Sequence, residues 1–311
     1  MKVIKAEAPA SIANLGPCFD ALGIALKEPK DVVELSIWES SGEISIEKIE
    51  GFNNSNIPVN ISRNTAGLAA KALLERLGLK IGLKIKIKKG IRPASGMGSS
   101  GASAAAAVYG LYHLLGMRLD TPLLIEAAAE GEKAAANSAH ADNVAASLLG
   151  GVVVLKSHKP LEFINFPVPE KLFFAIVLPD VELVTADSRA VLPTQLKFSD
   201  SFTQLSSCAY LVAALLKGDL IKIGRAVNSD IIIEPARAKL IKGFTEVKEA
   251  ALKAGAYGCS ICGSGPGIFA VCDQASQETI LAVMGDTLKD MNIKFTGFKA
   301  QPSNEGAKIV A

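Results

Sequence analysis

The stretch at 91–102 reads Ile91-Arg92-Pro93-Ala94-Ser95-Gly96-Met97-Gly98-Ser99-Ser100-Gly101-Ala102. Glycines, lacking a Cβ, let a backbone close around an anion. A helix opening at Ser99 would aim its unpaired N–H groups and positive dipole end at the same spot. Ser99 and Ser100 can cap that helix, bind a phosphate oxygen or ligate a metal. Together these features describe a polyphosphate cradle, and an ordinary glycine turn with a serine cap is the simpler alternative. The loop lacks the Gly-Lys-Ser/Thr of a Walker A motif, and the alternating strand before it differs from the uniformly apolar strand of a dinucleotide fold. Two further segments stand out. The stretch at 9–23 carries Asn14, Gly16, Phe19 and Asp20, and 258–267 is a glycine- and serine-rich turn between apolar stretches that fits a β-hairpin. His140, Asp142 and Asn143 form a polar group, whereas His113 and His158 belong to no cluster. Arg189 and Arg237 are natural carboxylate readers, since a guanidinium fork matches a carboxylate bidentately and stays charged.

These residues need elements to hold them. Alternation and β-branched content predict strands over 2–7, 31–38, 42–49 and 80–88. The last is the clearest, with Ile81, Leu83, Ile85 and Ile87 opposite Lys80, Lys84, Lys86 and Lys88. Apolar periodicity predicts helices over 64–77, 99–115 and 121–136, the second rich in alanine and so able to pack closely. Further on, strands are expected at 152–155, 172–178, 258–262, 267–272 and 294–299, and helices at 194–217, 240–254 and 274–291. Such alternation gives a layered α+β or α/β protein. Three prolines at 157–169 place a domain boundary there.

The chain has 311 residues, 33 Lys+Arg and 31 Asp+Glu, for a net charge of +2. That length suits two domains. The balance offers no basic footprint for nucleic acid and no polybasic membrane anchor. The 5% aromatic content argues against a stacking platform for single strands. Five cysteines in a long chain make a disulfide framework unexpected, and Cys259-Ser-Ile-Cys262 reads as two thiols on a buried strand. No apolar run reaches about 18 residues, and the N-terminal residues alternate in polarity, so a cytoplasmic location is expected.

In this order and at about these positions, the three glycine-bearing segments resemble the three motifs of the GHMP kinase superfamily, named for galactokinase, homoserine kinase, mevalonate kinase and phosphomevalonate kinase. The likeness is greatest to its homoserine kinase branch. It is carried by Asn14-Leu15-Gly16-Pro17-x-Phe19-Asp20, His140-Ala141-Asp142-Asn143-Val144-Ala145, Thr185-x3-Arg189-x2-Leu192-Pro193 and Asp230-x3-Glu234-Pro235-x-Arg237, and it spans 9–269. Cys18 stands where Gly is usual, Met97 replaces Leu, and Gly101 replaces an Ala at a cost of ~1 kcal/mol in helix propensity.

The resemblance implies an α+β, two-domain GHMP kinase fold. Its N-terminal part, 1–158, would be ribosomal protein S5 domain 2-like, and 159–311 a ferredoxin-like α/β sandwich. It implies ATP held by Asn64, Pro93, Ala94, Ser95, Gly96, Met97, Gly98, Ser99, Ser100, Gly101, Ala102, Ser264 and Gly265. Mg2+ would be held by Ser100 and Glu132. Without the resemblance, Glu132 would read as a solvated helix residue beside Glu130 and Lys133. L-homoserine would be oriented by Asn14, Asp20, His140, Asn143, Arg189 and Arg237, the arginines on its carboxylate and Asp20 on its ammonium. The implied product is O-phospho-L-homoserine, for threonine biosynthesis. Asp142 would orient its neighbours, with catalysis resting on positioning more than on a general base. A homodimer is implied, with no nucleic-acid or membrane partner. The alternatives are a kinase of the same superfamily acting on shikimate or mevalonate, and a non-catalytic binding protein on the same scaffold.

Overall fold

The computed structural model describes residues 2–38, 42–52, 54–118, 120–136, 141–181, 183 and 185–310. The ribbon at its centre is β1 (Val3–Ala13) antiparallel to the long β2 (Leu22–Ile37). The strands read from sequence at 2–7 and 31–38 are only the outer ends of this ribbon. The inner ends, 8–13 and 22–26, are buried throughout, so they lack the alternation that marks a half-exposed strand. β3 (Ile44–Gly51) runs parallel to β4 (Leu83–Lys89), which pairs with the outer end of β2.

Helices α1 (Thr65–Arg76), α2 (Ser99–Leu114), α3 (Thr121–Ala136) and α4 (Asp142–Leu149) pack together on this sheet. α2 lies directly on β1 and β2. Ala102 and the run Ala104, Ala105, Ala106 and Ala107 are fully buried there, because only small side chains permit that approach. Asn64 starts α1 by accepting from the Gly67 N–H at 3.1 Å.

β5 (Val152–His158) pairs with the inner end of β2, and β6 (Leu161–Phe166) folds back on β5. The boundary expected between 158 and 159 therefore falls inside a hairpin, where His158 pairs with Leu161. Pro160 occupies the turn of that hairpin, and Leu161, Phe163 and Phe166 pack on the large core. Pro160 thus marks a turn, whereas Pro167 and Pro169 fall in the connection that leaves β6.

β7 (Phe173–Pro179) begins the second layer, followed by α5 (Thr185–Ala190), α6 (Phe198–Lys217), α7 (Leu220–Val227), α8 (Ile233–Ala238) and α9 (Phe244–Lys253). β8 (Gly258–Ile261), β9 (Ile268–Cys272), α10 (Gln277–Asp290), β10 (Phe295–Ala300) and β11 (Lys308–Val310) complete the chain. The second sheet is antiparallel in the order β10-β7-β9-β8. The 258–267 hairpin is present as expected, whereas β11 returns to pair with β1 in the first sheet. β7 faces two cores. Ala175 and Val177 join the core with α9 and α10, while Phe174, Ile176 and Leu178 join the large core. The two sheets are thereby welded together.

The absence of a disulfide is the second expectation to be corrected. Cys18 and Cys208 are bonded across 190 residues, joining the β1–β2 turn to α6. Counting cysteines cannot reveal such a pair, because only the folded path brings its members together. Cys259, Cys262 and Cys272 are free and buried. A cross-link closing so long a loop restricts the unfolded chain, so Cys208→Ser is expected to cost about 2–4 kcal/mol. Urea denaturation of the variant and the parent, with and without reductant, checks this; equal midpoints would contradict it.

Candidate active site

A cleft of about 370 Å3 opens between the sheet-and-helix layer and the second layer. One wall is the loop between β4 and α2. Ala94, Gly96 and Gly98 have φ of 55°, 80° and 65°, in the left-handed region. A Cβ on Gly96 would lie 2.1 Å from the Cys262 carbonyl oxygen, and one on Gly98 would lie 2.4 Å from Ser11 Oγ. The loop is therefore wedged against the β8–β9 turn on one side and β1 on the other. The Gly267 N–H donates to the Ser95 carbonyl at 3.1 Å, and the Ser11 N–H to that of Met97 at 3.2 Å. At its end, Gly98 precedes α2, whose first N–H groups face the cleft without intrahelical partners.

The two serines divide their work. Ser99 Oγ donates to the Ile91 carbonyl at 3.0 Å and so fastens the loop. Ser100 Oγ donates to Glu132 Oε2 at 3.0 Å. Glu132, on α3, is buried, and its Oε1 has no partner. Burial pushes its carboxyl up to about 7, with the neighbouring Asp142 adding to the effect and the Ser100 bond opposing it.

The same cleft gathers charge. Arg189 Nη2 meets Asp20 Oδ1 at 2.8 Å and Oδ2 at 2.6 Å. Arg237 donates from Nε to the Ser188 carbonyl at 3.1 Å and from Nη1 to that of Gly263 at 2.8 Å. The helix that carries it, α8, is fastened at its start by Asp230, whose carboxylate accepts from the Ile232, Ile233 and Glu234 N–H groups. Glu234 is paired with Lys248. Asn14 donates to the Gly263 carbonyl at 3.1 Å and accepts from the Asp20 N–H at 3.0 Å, tying the β1–β2 turn to the β8–β9 turn. Asn143 Oδ1 accepts from Ser11 Oγ at 2.9 Å, which turns its amide nitrogen away from Ser11.

Residues 64–151 match GHMP kinases N terminal domain, and 211–290 match GHMP kinases C terminal. Homoserine kinase of Chlorobium phaeovibrioides is 42% identical, with 88% of each chain covered. This chain belongs to the homoserine kinase family of the GHMP kinases. Homoserine kinase of Pyrococcus abyssi is 40% identical over 97% of both chains. The crystal structure of homoserine kinase from Cytophaga hutchinsonii, 40% identical, superimposes with a TM-score of 0.93, covering 100% of this chain and 98% of that one.

In this member of the homoserine kinase family, Asn64, Pro93, Ala94, Ser95, Gly96, Gly98, Ser99, Ser100 and Ser264 line the cleft with Glu132, Asn14, Asp20, Asn143, Arg189 and Arg237. Met97 and Ala102 point into the core, so they shape the loop without facing the cavity. Gly101 lies against the start of α4, where a Cβ would come within 3.3 Å of Asn143 Cβ, which accounts for glycine in place of alanine. Gly265 contributes a carbonyl that faces Gly96. His140 lies outside the described residues.

Two side chains were given no role by the sequence reading. Lys89 is buried at the cleft wall, bound to Asp31, to the Ser99 carbonyl at 2.8 Å and to Ser103 Oγ at 2.8 Å. Asp31 Oδ1 also accepts from the Gly90 and Ile91 N–H groups, each at 3.0 Å. The signal was present, since Lys89 falls on the same parity as Leu83, Ile85 and Ile87. The second is Phe19, whose ring lies beneath both Arg189 and Arg237.

Asp142 is buried in the cleft wall, and burial together with the Asp20 charge pushes its carboxyl up to about 7. A carboxyl raised from 3.8 or 4.5 to about 7 holds its proton longer in the folded chain than in the unfolded one. The stability it contributes is present below the unfolded value and lost as pH rises through about 7. The ligand-free protein is expected to lose on the order of a few kcal/mol between about pH 5 and 8 from Glu132 and Asp142 together. Urea midpoints against pH test this, and the slope should flatten in Glu132→Gln and in Asp142→Asn. A parent slope that both variants retain would refute it.

Proposed function

We propose that this cleft transfers the γ-phosphoryl group of ATP to the hydroxyl of L-homoserine, giving O-phospho-L-homoserine and ADP for threonine biosynthesis. The hydroxyl oxygen bonds to phosphorus, the bond to the β,γ-bridging oxygen breaks, and the hydroxyl proton is released. The observation that carries the reading is the convergence of Arg189, Arg237 and Asp20 in the cleft that the glycine loop also lines. Two cations and one carboxylate complement an α-amino acid. Asp20 releases Arg189 and receives the ammonium, while Arg189 and Arg237 take the carboxylate. Asn14 keeps Asp20 in place, and Asn143 presents its amide beside the loop. Backbone N–H groups from 94–100 and the α2 dipole hold the nucleotide phosphates.

Glu132 and Ser100 fit a divalent cation. The buried, unpartnered Glu132 Oε1 beside a serine hydroxyl supplies the one carboxylate and one neutral oxygen that Mg2+ takes alongside phosphate oxygens. Among the described residues no group of three His, Cys, Asp or Glu forms a protein-only metal cage. Mg2+, when bound, neutralises charge on the β- and γ-phosphates. With the Asp142 carboxyl raised by burial and its Oδ1 accepting from the Asn143 N–H at 2.8 Å, the chain's part in the reaction is orientation.

A homodimer is part of the same reading. Phe198, Phe202, Leu205 and Leu216 form an exposed stripe along α6, at the spacing of one helix face, which supports a second copy packing there. Use of ATP supports a cytoplasmic location, and no helix among the described residues is long and apolar enough to cross a membrane.

A coupled ADP-release assay with L-homoserine, mevalonate and shikimate tests the function. Turnover of L-homoserine that depends on Mg2+ is expected. Phosphorylation of shikimate or mevalonate but not of homoserine would overturn the reading, as would the absence of turnover with every alcohol.

A further inference from the structure

The two arginines at the substrate end present a physical problem. Both guanidiniums are charged, both sit in the cleft wall, and Arg237 is nearly fully buried. Their mutual repulsion, added to burial, brings the Arg237 guanidinium down to about 10. Asp20 pairs with Arg189, while the Arg237 hydrogen bonds go to the carbonyls of Ser188 and Gly263. A second carboxylate here would hold Arg237, but it would also occupy the N–H groups that a substrate carboxylate needs.

Phe19 meets the need differently. The Arg189 guanidinium carbon lies over its ring at 5.1 Å from the centroid, and that of Arg237 at 5.2 Å. An aromatic face attracts a cation through its quadrupole and offers no lone pair, so the ring adds no acceptor to the in-plane N–H edges of either guanidinium, which bond to Asp20, Ser188 and Gly263. The ring is rigidly mounted. Cys18, the preceding residue, is bonded to Cys208 on α6, and the following residue, Asp20, is held through its N–H by Asn14. The backbone of the turn is fixed by the Cys18 N–H to Asn14 carbonyl bond at 3.2 Å.

We propose that Phe19 is a positioning residue that holds Arg189 and Arg237 convergent by sharing its ring between them, and so sets recognition of the substrate carboxylate. This rests on the reading of the cleft as an amino-acid kinase site. Phe19 meets the two arginines, and its effect therefore falls on binding of the carboxylate substrate.

The test replaces Phe19 with monofluoro-, difluoro- and trifluorophenylalanine by site-specific incorporation. Fluorination weakens the ring's attraction for cations with little change of shape. KM for L-homoserine should rise stepwise along the series, reaching about tenfold, equivalent to ~1.4 kcal/mol. KM for ATP and kcat should stay within about twofold. Phe19→Leu should give a KM rise of similar size with the thermal midpoint recorded alongside, and Phe19→Tyr should restore the parent value. A flat KM across the fluorinated series overturns the proposal, as does an equal rise in KM for ATP. Failure of the unaltered enzyme to phosphorylate homoserine is a separate outcome that sinks the underlying functional reading before the series begins.

Discussion

Glu132→Gln is expected to lower kcat about a thousandfold while leaving the fold intact. Glutamine keeps the shape and an acceptor for Ser100, but it cannot carry the charge that a divalent cation needs. Losing that interaction removes several kcal/mol of transition-state stabilisation, and each ~1.4 kcal/mol is a factor of ten in rate. KM for homoserine should change little, because Glu132 would act on the nucleotide phosphates, whereas the charges proposed for the substrate are those of Asp20, Arg189 and Arg237. The variant should also be at least as stable as the parent above pH 7, where the parent must keep an ionised carboxylate buried. Steady-state kinetics over a range of Mg2+ concentrations, with a thermal melt at pH 8, measure both effects. A kcat within tenfold of the parent would remove Glu132 from the metal site.

Asp31→Ala should destabilise the protein by about 3–5 kcal/mol and abolish tight ATP binding. Asp31 is fully buried and accepts from Lys89, from Ser103 Oγ at 2.6 Å and from the Gly90 and Ile91 N–H groups. Its loss leaves the Lys89 ammonium buried beside α2 without its counter-charge. It also frees the two N–H groups that set where the phosphate loop leaves β4. The double variant Asp31→Leu with Lys89→Met should recover much of the stability, since apolar groups can replace a buried pair, yet should not recover ATP binding. Urea midpoints and nucleotide titration separate the two losses. An Asp31→Ala protein as stable as the parent would mean that the pair contributes nothing to the loop.

Much of this was legible in the chain. The alternation at 80–88 gave β4, and the apolar spacing at 99–115 gave α2, because each depends on one face of one element meeting the core. The inner ends of β1 and β2 were not legible, because a strand buried on both faces loses its period. β11 was missed because three residues carry no period, and β6 because the prolines on either side of it, Pro160 and Pro167, imitate a linker. Lys89 was legible in principle, since a lysine on the apolar parity of a strand must find a buried partner. Phe19 was quoted as part of a motif but given no role, for nothing in its neighbours in sequence says that two arginines arrive above it.

By itself the sequence determined the groups that act locally. A phosphate loop needs only glycines, serines and a helix start in one continuous stretch, and 91–102 supplies them. It also determined the kinds of charge available to a substrate. Only the tertiary structure decided which charges meet. Arg189 and Asp20 stand 169 residues apart, and Cys18 and Cys208 stand 190 apart. The acidity of Glu132 and Asp142 belongs to the fold as well. A carboxyl's proton affinity follows the water removed around it and the charges brought near it, and both are set by the path of the whole chain.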